Sequence, residues 1–176
     1  TSEIGKVTKS TPFGSIDHPF NPISLALGAG ATFVGRTHDL DRKHMMEVFR
    51  AAHAHRGAAF VEIYQNCNVF NDGAWDYATD KTSKFDTTLE LEHGKPLIFG
   101  KNKDKGIRLN GTEPEVVELG KGISEDDLLF HDEKTPEATL AYLLSRMRHP
   151  EFPEPIGVFR SVPAPVYDVE LNRQID

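Results

Sequence analysis

Apolar and polar residues change period several times along this chain, and each change marks an expected element. The first twenty residues are rich in Gly, Pro, Ser and Thr, show no period and read as an extended arm. "FNPISLALG" follows. Asn21 is a good N-cap, Pro22 suits the first helical position where its missing N–H costs nothing, and Gly28 and Gly30 offer stops. That predicts a short helix of at most about two turns. "ATFVGR" (31–36) reads as a brief apolar strand ending in Gly35 and Arg36. From Thr37 to Gly57 the period turns helical: Asp41 caps, Leu40 stands at staple spacing from Met45, and Met45, Val48, Phe49 and Ala52 form one apolar face. Gly57 ends it, and "AAFVEI" (58–63) is a second strand. Strand, helix and strand in this compass predict a βαβ unit with parallel strands and a right-handed crossover.

Beyond Asp76 the pattern loosens. "WDYATDKTSKFDTT" (75–88) is polar and turn-rich and reads as a linker. "KPLIFGKNKDKGIRLNG" predicts two strands around a charged turn, and "EVVEL" and "DLLFHDE" are further strand candidates. "TPEATLAYLLSRMRH" predicts a helix capped by Thr135, with Pro136 in its first position and Leu140, Leu143, Leu144 and Met147 along one face. "IGVFRSV" gives a last strand before a Pro-broken tail. The fold class is therefore α/β over residues 1–76, followed by a small α+β extension over 77–176. The first part lacks an independent core, because parallel strands need cover on both faces. Residues 1–70 are expected to be the last part of a larger domain, completed by an absent N-terminal half or a separate polypeptide.

Composition narrows the class. With 38% hydrophobic and 27% charged residues, the chain reads as a soluble globular protein. The net charge of −7 is uneven: 7 Lys/Arg stand against 5 Asp/Glu in residues 1–56, and 13 against 22 in 57–176. No clustered basic stretch marks a nucleic-acid partner. No apolar run reaches the ~18 residues of a membrane span, and the opening "TSEIGKVTKS" has no secretory core. The chain opens on Thr rather than Met and reads as a processed or partial chain. A single cysteine excludes an intrachain disulfide and favours a reducing, cytoplasmic setting.

That cysteine, Cys67, follows the second predicted strand, at the carboxyl edge where ligand sites gather in α/β sheets. From the residues alone it is either a buried small hydrophobe, the usual fate of free thiols, or a nucleophile or metal ligand. No base is in evident reach for a nucleophile, and no Cys-x-x-Cys or His-x-x-x-His spacing supplies a zinc site. An iron–sulfur cluster would need three more thiolates from outside the chain. Arg36 is open between binding an anion and pairing with Asp39 or Asp41. His44, His53 and His55 read as surface residues, Asn71 and Asp72 as turn residues, and Trp75 and Tyr77 as packing for the extension. The glycines form neither a G-x-G-x-x-G fingerprint nor a phosphate loop, and no catalytic residue is assigned.

"GKVTKSTPFGSIDHPFNPISLALGAGATFVGRTHDLDRKHM" and "AAHAHRGAAFVEIYQNCNVFNDG" resemble the beta subunit of the 2-oxoacid:ferredoxin oxidoreductases, most of all members acting on 2-oxoglutarate. The likeness is close over residues 1–76 and looser over 77–176. It implies that the chain is the C-terminal portion of a parallel-sheet domain that binds thiamine diphosphate with Mg²⁺, followed by the subunit's C-terminal extension. In that family the subunit also houses one [4Fe-4S] cluster, and the resemblance places the fourth cluster cysteine on Cys67. The other three cysteines and the Gly-Asp-Gly…Asn motif for the metal and diphosphate have no counterpart here. Asn68 stands where the family usually has proline, which changes the loop and removes no ligand atom. The implied enzyme converts 2-oxoglutarate and coenzyme A to succinyl-CoA and CO₂, passing electrons through the cluster to ferredoxin. An alpha or gamma-alpha subunit completes it, and the chain alone is expected to be inactive. Pyruvate or a broader range of 2-oxoacids is the alternative substrate. A non-catalytic fragment that completes a sheet is the alternative role.

Overall fold

A computed structural model describes residues 2–175. Helix α1 (Pro22–Gly28) starts as its sequence dictates: Asn21 Oδ1 accepts the Ser24 N–H at 3.0 Å. Strand β1 (Phe33–His38) runs two residues past the expected end at Arg36 and is buried throughout. Helix α2 (Arg42–Ala54) is capped by Asp41, whose Oδ1 accepts the His44 N–H at 3.1 Å. Gly57, at φ +130°, then turns the chain where a Cβ would strike the Thr32 hydroxyl. Strand β2 (Ala59–Tyr64) pairs in parallel with β1, Phe33 opposite Ala59 and His38 opposite Tyr64. This is the predicted βαβ pair. Leu40 is 71% exposed, so the expected staple onto Met45 buries little.

The region expected as a linker carries two single-turn helices, α3 (Asp76–Thr79) and α4 (Lys84–Thr87), and then a strand, β3 (Thr88–Leu91). β3 forms because a partner waits for it. It pairs in parallel with the long strand near the C-terminus, β7 (Glu154–Ser161). β7 also pairs antiparallel with β1, giving a mixed sheet of order β2-β1-β7-β3. The first half is thus continued by the second within one sheet. Gly157 sits at φ +118° in β7, where a Cβ would stand 3.0 Å from the Leu91 carbonyl oxygen.

Strands β4 (Ile98–Phe99), β5 (Lys105–Asn110) and β6 (Glu113–Glu118) form the expected antiparallel pairs as a second, three-stranded sheet. Of "DLLFHDE" only an isolated antiparallel bridge forms, Phe130 opposite Pro96. Residues 125–127 make a 3₁₀ turn, and Leu129 instead exchanges single backbone bonds with Leu97 and Ile107. Helix α5 (Thr139–Arg146) begins later than expected, and Thr135 does not cap it: Arg160 takes the carbonyls of Thr135 and Pro136. The Pro-broken tail ends in a helix, α6 (Tyr167–Ile175), with no buried residue.

One core joins the two halves. Ile23, Leu27 and Val34 from the first pack with Leu89, Leu97, Ile107, Leu144, Met147 and Phe159 from the second. α1 and α5 are tied by polar bonds as well: Asn21 Nδ2 donates to the Ser145 carbonyl at 2.8 Å, and the Ser24 and Ser145 hydroxyls meet at 2.8 Å. Asn21 therefore caps its own helix and anchors it to another.

Candidate functional site

The parallel pair β1–β2 ends at His38 and Tyr64, and the chemistry-bearing residues gather beyond and beneath that edge. Cys67 lies in the loop after β2 and is exposed. The backbone N–H groups of Phe70 and Val69 point at its sulfur and hold the thiol below its usual range. The Asn71 N–H donates to the Cys67 carbonyl at 2.9 Å, pinning the turn. Asn66 bridges its base, giving Nδ2 to Asp72 Oδ1 at 2.8 Å and taking the Gly73 N–H at 2.9 Å. Asn71 and Asp72 are turn residues, as expected. A solvent-facing sulfur surrounded by amide donors suits a thiolate, the form that ligates iron. Within this chain the described residues leave Cys67 uncovered.

Across an open cleft of about 500 Å³, Lys6, Val7, Thr8, Lys9 and Pro12 of the arm face residues 68–72. The arm is folded on itself by the Gly5 N–H to Ser15 and the Ser15 N–H to Lys6. Its Phe13 is fully exposed.

Beneath the sheet edge, Arg36 takes a role that neither sequence alternative named. It is 3% exposed and lies inside β1. Its Nε donates to Glu62 at 2.7 Å, and its Nη1 donates to Glu154 at 2.5 Å and to the Pro155 carbonyl at 3.2 Å. Burial opposes the guanidinium charge, but Tyr64, Glu154 and Glu62 outweigh it and hold Arg36 above its ordinary value. The Tyr64 hydroxyl donates to Glu154 at 2.7 Å and that of Tyr77 at 3.3 Å. Burial, then Glu154, pushes both phenols upward, beyond reach of deprotonation. The guanidinium lies 4.9 Å from the Tyr64 ring centroid and 5.2 Å from that of Phe159. Two carboxylates already hold Arg36, so it is no free anion receptor. Tyr77 stacks on His149 and so packs the extension, as expected, whereas Trp75 stacks on Tyr64 of β2.

The histidines divide. His44 turns inward, its Nδ1 2.8 Å from the Thr37 hydroxyl, and His55 Nε2 lies 2.9 Å from the Thr32 hydroxyl, while His53 is exposed. His38, unremarked in the sequence, is buried at the end of β1 with Nδ1 unpartnered, and burial lowers its pKa. It borders a cleft of about 500 Å³ shared with Asp41, His44, Lys84, Lys95 and Glu90. Among the described residues, no group of three or more His, Cys, Asp or Glu is placed to hold a metal ion. The sequence could not have yielded Glu62, Tyr64 and Glu154 as a set, because β7 meets β1 only in the folded sheet.

No family model matches this chain. The 2-oxoglutarate oxidoreductase subunit KorB of Mycobacterium tuberculosis is 45% identical to it over 176 residues, covering 99% of this chain and 47% of that protein. The 2-oxoacid:ferredoxin oxidoreductase subunit beta of Saccharolobus solfataricus is 40% identical over 124 residues, covering 61% of this chain and 41% of that one. The structure of the 2-oxoglutarate:ferredoxin oxidoreductase from Magnetococcus marinus with 2-oxoglutarate, coenzyme A and succinyl-CoA bound superposes with a TM-score of 0.60. It covers 99% of this chain and 44% of that one at 21% identity, a shared fold. The chain spans about half the length, or less, of the curated relatives it matches.

Proposed function

We propose that this chain, which matches the beta subunit of the 2-oxoacid:ferredoxin oxidoreductases, is part of an enzyme that oxidatively decarboxylates 2-oxoglutarate. Coenzyme A receives the acyl group as succinyl-CoA, CO₂ leaves, and electrons pass through a [4Fe-4S] cluster to ferredoxin. The observation that carries this reading is the 45% identity to a 2-oxoglutarate oxidoreductase subunit along 99% of the chain. Residues 1–76 are assigned to the C-terminal portion of the thiamine-diphosphate domain and 77–176 to the subunit's C-terminal extension. The remainder of the subunit and an alpha or gamma-alpha subunit complete the assembly. No helix among the described residues is long and apolar enough to cross a membrane, which accords with a cytoplasmic enzyme.

Cys67 is the residue of this chain that we assign to the cluster, as one of four thiolate ligands. Its exposure and the amides aimed at its sulfur support that role. Thiamine diphosphate with Mg²⁺, when bound, supplies the carbon–carbon cleavage. No residue of this chain is assigned to it. The test is turnover by the complete complex with coenzyme A and ferredoxin, comparing 2-oxoglutarate with pyruvate at equal concentrations. The expected result is a higher kcat/KM for 2-oxoglutarate. A preference for pyruvate would overturn the substrate, and coenzyme-A-independent turnover would overturn the reaction.

A further inference from the structure

The loop that carries Cys67, residues 65–74, starts after Tyr64 and ends before Trp75. Those two side chains stack, with ring centroids 3.6 Å apart and planes 10° from parallel. The aromatic pair closes the neck of the loop. Within it, Asn71 is the buried residue, while Cys67, Asn68, Val69 and Phe70 are all exposed. Such a loop has no apolar core of its own to fix its shape. Its geometry must come from the cross-links at Asn66 and Asn71 and from the stack at its base. The stack is in turn pinned from below. Tyr64 is 7% exposed, and its hydroxyl donates to Glu154 at 2.7 Å. Glu154 comes from β7 and is itself held by Arg36 of β1 at 2.5 Å.

We propose that Tyr64, Trp75 and Glu154 are positioning residues for Cys67. The aromatic clasp, fixed by a carboxylate from the far half of the chain, sets where the sulfur stands. The proposal rests on the reading of Cys67 as a cluster ligand. A metal–ligand bond tolerates little displacement, and the groups that orient a ligand tune the centre it serves. Through Glu154 the second half of the chain thereby helps set where the Cys67 sulfur stands.

The experiment uses the complete complex with Trp75→Ala, Trp75→Phe, Tyr64→Phe and Cys67→Ala. Three quantities are read: the EPR spectrum of the reduced cluster, its midpoint potential, and hydrogen exchange at the Asn71 and Gly73 amides. Trp75→Ala is expected to alter the spectrum and potential and to speed exchange at both amides about tenfold, as loss of a stack and its anchoring would. Trp75→Phe keeps a stacking ring and is expected to restore all three. A purely structural role predicts lower yield with spectrum, potential and exchange unchanged in the assembled protein, which overturns the proposal. If Trp75→Ala does not assemble, Tyr64→Phe keeps the stack and removes only the bond to Glu154. A smaller change in the same direction supports the proposal, and no change overturns it. Cys67→Ala separates the two claims: full iron with an unchanged spectrum ends the ligand reading, while the exchange rates still report whether the clasp holds the loop.

Discussion

Helices α2 and α5 have similar amphipathic sequences and opposite fates. α5 spans 8 residues and buries Ala141, Leu144 and Ser145, whereas α2 spans 13 and buries Val48. The strands beside them divide in the same way. β7 is buried over its first four residues and has a partner on each edge, while β2 is an edge strand with Ile63 exposed. Helix propensity cannot explain this. What differs is the protein on the far side: α5 packs on α1 and β7, and α2 covers one face of a sheet whose β2 edge is open. An apolar face and an unpaired edge left in water are costly and invite association. The half that bears Cys67 thus carries a long helix with little cover beside an open strand edge.

Substitutions can break or sharpen that contrast. The largest loss is expected from Glu154→Ala, which strips Arg36 of a buried partner and Tyr64 of its acceptor, at about 3–4 kcal/mol. Chemical denaturation of the variant beside the parent measures it. Leu144→Ala, at a fully buried site, is expected to cost about 3 kcal/mol by the same assay. A loss under about 1 kcal/mol there would contradict the tight packing of α5 on α1 and β7. Asp41→Ala is expected to cost about 1 kcal/mol at neutral pH, the worth of an N-cap. The His44 amide depresses the Asp41 carboxyl below its ordinary 3.8 in the folded state. Its contribution is thus complete above that value and fades as pH falls through the lower folded one, so variant and parent should converge in acid. The smallest effect belongs to Phe49→Ala: about 1 kcal/mol in this chain, where Phe49 is 37% exposed. In the complete subunit the same change should cost more, and an equal cost in both would show that α2 receives no cover.

Local rules reached far along this sequence and stopped where partners mattered. The caps at Asn21 and Asp41, the hairpin over 98–110 and the apolar face of α5 are set by near neighbours in sequence, and the βαβ pair follows from the order of its elements within about 33 residues. β3 overlaps the stretch read as a linker only at Thr88, and its four-residue alternation becomes a strand only when β7 offers its edge. Residues 128–131 have the apolar run of a strand, yet they form only an isolated bridge to Pro96, with backbone bonds spread over Gly94, Lys95, Leu97 and Ile107. The tail beyond Pro165 resumes as helix α6 once its prolines are passed. At the site, Cys67 was marked by family resemblance and by its place after β2, and Asn71 and Asp72 by turn chemistry. The Arg36–Glu154 pair was not legible, because its members lie 118 residues apart and only the sheet joins them.

The most direct test of the account is iron and sulfide analysis, with EPR of the dithionite-reduced protein, on the complete complex carrying Cys67→Ala. The account predicts lost or converted [4Fe-4S] and impaired electron transfer to ferredoxin, with thiamine diphosphate binding largely kept. A full iron complement with the parent spectrum would contradict it.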